Sequence, residues 1–132
     1  MKLATTSLQM LVRLTGLIQI VLGLLFWTGN ALSLIPLHML SGVVLVLALL
    51  GLAVLGAVAG APVRFVALAV VWVVLVPVLG VTQDRLLPGS AHWLIQILHL
   101  LVGLGAIGQA ENLARRIKAG QSAAVSVRRA AH

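Results

Sequence analysis

Residues 14–63 read LTGLIQIVLGLLFWTGNALSLIPLHMLSGVVLVLALLGLAVLGAVAGAPV, and no charged side chain occurs between Arg13 and Arg64. A helix needs about 20 apolar residues to cross the hydrocarbon core of a bilayer, so the stretch holds two crossings. Thr28-Gly29-Asn30 and Pro36 divide it, and Gly60-Ala61-Pro62 closes it, since Gly and Pro interrupt helices. Working outward, the spans are 11–27, 35–58, 65–81 and 92–112. Thr82-Gln83-Asp84-Arg85 and Pro88-Gly89-Ser90 form the third connection. The apolar runs lack the alternation of strands, and lipid tolerates no unpaired backbone, so helices are expected. The expected fold class is all-α: a polytopic membrane protein whose four-transmembrane-helix bundle, built from two similar helical hairpins, occupies residues 1–118. A basic cytoplasmic tail follows over 119–132.

Composition agrees. Of 132 residues, 61% are hydrophobic and 8% charged, against about half and a quarter in ordinary soluble domains. Mean hydropathy is +1.18. Nine Lys/Arg against two acidic residues give a net charge of +7. Nucleic-acid binders carry such an excess as a stripe on a polar surface; here polar surface is scarce, so no nucleic-acid partner is expected. The absence of Cys excludes disulfides and thiolate chemistry. With only Asp84 and Glu111 available, paired-carboxylate catalysis is excluded as well. The sequence holds no Ser/His/Asp set, His/Glu metal cluster or Gly-rich phosphate loop, so an independent enzyme is not expected.

Basic residues orient the spans, because cytoplasmic loops are enriched in Lys and Arg. Lys2 and Arg13 mark the entry of span one, and Arg64 lies between spans two and three. Arg115, Arg116, Lys118, Arg128 and Arg129 follow span four, and Arg85 alone falls on the other side. Both termini are therefore expected in the cytoplasm, with the chain in the plasma (inner) membrane as a multi-pass protein. Trp27 and Trp93 mark the outer interface, while Trp72 lies inside span three and is expected to pack in the bundle. The basic region ahead of span one is thin for a signal peptide, so this segment is read as a retained helix.

The chain repeats itself. His38-Met39-Leu40-Ser41-Gly42 and His99-Leu100-Leu101-Val102-Gly103 both read His-x-Leu-x-Gly, 61 residues apart. Equivalent residues of two parallel repeats lie at similar depth and face one another across the axis. An intramembrane ionisable residue is a functional hypothesis by default. Two facing imidazoles with no carboxylate near them suit axial ligation of a heme iron, with His38 and His99 as ligands and heme b as cofactor. Gly42 and Gly103, one turn along each helix, either leave room for the porphyrin or permit close helix contact. Counted from the basic side, His38 stands farther from Arg64 than His99 does from Arg115. Span four must therefore extend inward past Glu111, or span two must end early or tilt. His92 is a rival partner for His38, a group on a heme propionate, or an interfacial residue; it shares a helix face with Gln96 and His99. Arg85 pairs either a propionate or Asp84.

Val78-Leu79-Gly80-Val81-Thr82, leading through Pro88 to His99-Leu100-Leu101, resembles the third and fourth helices of one half of the heme A synthase family. His38 at the start of span two resembles that half's other heme-ligating histidine. The resemblance covers about 100 residues, rests on single His and Gly positions, and extends to cytochrome b561-like four-helix heme proteins. It implies a four-helix bundle with His38 and His99 as axial ligands. The synthase carries a Glu three residues before its second-helix histidine where this chain has Ile35, and only one half is present, so heme A synthesis is not implied. The expected function is a small bis-histidine heme b protein for electron transfer or heme handling, as a homo-oligomer or beside a larger membrane redox complex. The alternative is a cofactor-free accessory subunit of a membrane complex.

Overall fold

In the computed structural model, which describes residues 1–130, four helices run antiparallel in chain order: α1 (Lys2–Trp27), α2 (Ile35–Val58), α3 (Val63–Thr82) and α4 (Trp93–Ala130). Short 3₁₀ turns at Leu32–Leu34 and Gln83–Arg85 lie in the connections that close the two hairpins at one end. No strand occurs among the described residues. Each helix packs on its neighbours in a ring, α1 closing on α4, and α2 also meets α4 across the diagonal. All four helices are long and apolar enough to cross a membrane. Even the shortest, α3 with 20 residues, is about 30 Å long at 1.5 Å per residue.

The helix ends follow from the punctuation. Gly29 (φ +75°) and Gly60 (φ +72°) supply the left-handed residue that closes α1 and α2. Around each, two amides turn back: Gly29 to Phe26 and Asn30 to Leu25, then Gly60 to Ala57 and Ala61 to Gly56. This paired pattern satisfies carbonyls that a helix end leaves free. Pro36 stands in the first turn of α2, where its missing amide costs nothing.

Two boundaries differ from the sequence reading. α1 begins at Lys2, so Arg13 lies midway along it and does not mark its entry. α4 has 38 residues and continues well past Glu111 to the last described residue, Ala130. This extension reconciles the unequal depths of His38 and His99. Ala131 and His132, at the end of the expected tail, lie outside the described residues.

The core is concentrated toward the basic end. Val12, Leu45, Leu49, Leu52, Ala110, Leu113 and Ile117 are buried there. Trp72 packs against this core, and its ring lies over Gly105, where any Cβ would stand 2.6 Å from it. Outward-facing positions are apolar, including Leu17, Leu47, Val54 and Val74. Such an apolar exterior is the inverse of a soluble bundle.

Candidate functional site

At the other end of the bundle, the first turn of α2 and the second turn of α4 bring His38 and His99 together. Their ring centroids are 6.3 Å apart and the planes are tilted by 46°. Each ring is half-buried. The preceding helix of each hairpin offers its ring a glycine: a Cβ on Gly23 of α1 would lie 3.9 Å from His38 Cε1, and one on Gly80 of α3 would lie 3.5 Å from His99 Cε1. Phe26 meets the His38 ring edge-on at 5.3 Å. The backbone of the His38 turn is held by Gln19, whose amide donates to the His38 carbonyl and to Ser41 Oγ (2.9 Å).

Nδ1 of both His38 and His99 is buried and has no hydrogen-bond partner. An unpaired buried polar atom costs about 1–3 kcal/mol; Gln121 near the basic end has an unpaired buried amide as well, so what sets the histidines apart is that two ligand-type rings face each other. The separation leaves both rings within reach of one shared group, and neutral imidazole is a good ligand for heme iron. No group of three or more His, Cys, Asp or Glu suited to a metal occurs among the described residues. A bare ion would find two side chains where structural zinc takes four; a heme brings four equatorial nitrogens and asks only for two axial ligands. The residues present therefore fit a heme better than a bare ion.

The other expected site residues divide. Gly103 is open, with no atom within 4 Å of a Cβ placed there, whereas the notch at Gly42 is filled by the Gln19 amide at 3.0 Å. Gly42 thus lets α1 approach α2, and Gly103 leaves free space one turn from His99. His92 does not approach His38 as His99 does; its Nδ1 lies 3.2 Å from the Leu86 carbonyl and ties the α3–α4 connection to the start of α4. Arg85 is exposed at the same end and forms no ion pair with Asp84. Gln96 is half-buried beside them. Gly23, Phe26 and the grip of Gln19 are additions that the repeat alone did not reveal.

The opposite end holds a different polar group. Arg13 Nε and Nη2 grip Glu111 at 2.6 and 2.9 Å, Gln9 donates to Glu111 at 2.6 Å, and Lys118 donates to Gln9 at 2.6 Å. This is the one ion pair among the described residues.

No protein-family model, curated protein or solved structure matches the chain. The likeness to heme A synthase and to cytochrome b561-like proteins accordingly rests on the quoted residues alone.

Proposed function

We propose that the chain is a small bis-histidine heme b protein of the plasma (inner) membrane, passing single electrons or handling heme beside a larger partner. The observation that carries this reading is the His38–His99 pair, 6.3 Å apart with both Nδ1 atoms buried and unpaired. His38 and His99 would hold the group from α2 and α4. Bound heme supplies a one-electron iron couple whose potential responds to its axial ligands and to burial. Gly23 and Gly80 let the rings sit close to α1 and α3, Gln19 fixes the turn that presents His38, and the apolar helices exclude water. Arg85 and His92, at the same end, are the groups available to propionates. With both His38 and His99 holding the group, this chain would offer no further side chain for oxygen chemistry, in keeping with a carrier. The Lys/Arg distribution supports both termini in the cytoplasm, which puts the histidine end on the far side.

The test is an absorption spectrum of detergent-purified protein expressed with heme supplementation. Soret and α bands are expected, and they should disappear in His38→Ala and His99→Ala. A folded wild-type protein with no such bands would overturn the proposal and leave the cofactor-free accessory subunit.

A further inference from the structure

At the basic end Phe65, in the first turn of α3, carries two guanidinium groups. Arg116 of α4 lies 3.5 Å from its ring centroid and Arg64 lies 5.0 Å from it. Such stacking is favourable, but it holds two like charges close together. Arg116 is further fixed by its Nε bond to Asn112 at 3.1 Å. The chain has two carboxylates; Glu111 is engaged by Arg13 and Gln9, and Asp84 lies at the opposite end. The charge on Phe65 thus lacks a committed counter-charge. Arg116 also lines a cavity of about 290 Å³ between the α2–α3 turn, Ala59–Pro62, and Ile117 and Gly120 of α4.

The surroundings identify the anion. Val58 and Val63, flanking that turn, are 72% and 81% exposed; a soluble anion would leave them bare, whereas acyl chains would cover them. The 17 residue-to-residue steps from Thr82 back to Phe65 span about 26 Å, close to the roughly 30 Å of a bilayer core, so the arginines lie at headgroup level. We propose that an anionic phospholipid headgroup docks here, its phosphate held by Arg116 at the cavity and by Arg64, which the Phe65 ring keeps beside it. This inference rests on the membrane insertion proposed above and not on the heme.

The experiment reconstitutes the full chain into nanodiscs of one part phosphatidylglycerol to four parts phosphatidylcholine and counts retained lipid by native mass spectrometry. Wild type should retain phosphatidylglycerol well above its share of the mixture. Arg64→Gln, an exposed position with no hydrogen bond to lose, should lower that enrichment about fivefold; Arg64→Gln/Arg116→Gln should abolish it. Arg85→Gln, at the opposite end, should leave it unchanged. Equal retention by wild type and both arginine variants, or an equal loss in Arg85→Gln, would overturn the site. So would stabilisation by inorganic phosphate in lipid-free detergent matching that by phosphatidylglycerol, since the anion would then be soluble. A carbonate wash of native membranes checks insertion separately, so failure of that reading is distinguishable from failure of the lipid site.

Discussion

Two polar clusters at the ends of the bundle treat their hydrogen-bonding groups differently. At the basic end Gln9, Arg13, Glu111 and Lys118 satisfy one another over the packed core, though Gln121 farther along α4 keeps an unpaired amide. At the histidine end the core thins, and two imidazoles face each other with a nitrogen apiece unmatched. Both non-glycine residues with left-handed backbone, Ala31 (φ 55°) and Leu87 (φ 44°), also lie in the connections at that end. Strain of this kind tends to gather where function does. The contrast teaches that the Arg13–Glu111 cluster is closed by the protein's own side chains, while the His38–His99 pair keeps hydrogen-bonding capacity that its neighbours do not use.

The sharpest way to break this contrast is to exchange the losses. His38→Ala or His99→Ala should abolish the heme bands entirely and leave thermal unfolding of the heme-free protein nearly unchanged. A histidine variant that retained full bands would show that the pair is not the ligand set. Next comes crowding of the cradle. Gly80→Ala should bind heme normally, because its Cβ would stand at an ordinary 3.5 Å from the His99 ring. Gly80→Leu drives further carbons into that ring, and overpacking costs about 1–3 kcal/mol, so heme affinity in titrations should fall roughly 5- to 150-fold. Equal affinities for the alanine and leucine variants would separate Gly80 from the site.

Glu111→Ala inverts the test. It removes the acceptor of three hydrogen bonds, two from Arg13 and one from Gln9. Charge-assisted bonds contribute most when buried, but Arg13 is 51% exposed, so the loss of stability should be small yet measurable. Denaturant titration in detergent should detect it while the heme bands remain. Loss of the bands with unchanged stability would mean that the two ends are not separate in role.

How much of this was legible beforehand depends on whether a feature is local or lies between helices. Gly29, Pro36, Gly60 and Pro62 announce their turns because their backbone preferences act on the chain itself. The His-x-Leu-x-Gly repeat placed His38 and His99 on one axis for a similar reason: a repeat copies depth. Depth counting also required span four to extend past Glu111 or span two to shorten, and α4 takes the first course. The Arg13–Glu111 pair was hidden because charge was read only as a marker of span ends, whereas α1 starts eleven residues before Arg13. The split between Gly42 and Gly103 was hidden too. Both glycines occupy the same place in the repeat, but the Gln19 side chain of α1 enters only the notch at Gly42, and which notch a neighbour fills depends on helix rotation that composition does not encode.

The smallest expected effect concerns His92, whose place in the contrast is the finest point. It lies at the histidine end, shares a helix face with His99, and could have been the partner of His38. Its Nδ1 instead meets the Leu86 carbonyl at 3.2 Å, in an exposed contact. A single exposed hydrogen bond contributes about 0.5–1.5 kcal/mol at most, and water replaces much of it. His92→Ala should therefore keep both heme bands at their wild-type positions and lower stability by less than about 1 kcal/mol. His92→Ala/His99→Ala should then match His99→Ala alone in its spectrum. Residual bands in His99→Ala that vanish only in the double variant would show His92 replacing His99 on the iron. The satisfied and unsatisfied histidines of this end would then be interchangeable, and the distinction drawn from their hydrogen bonds would fail.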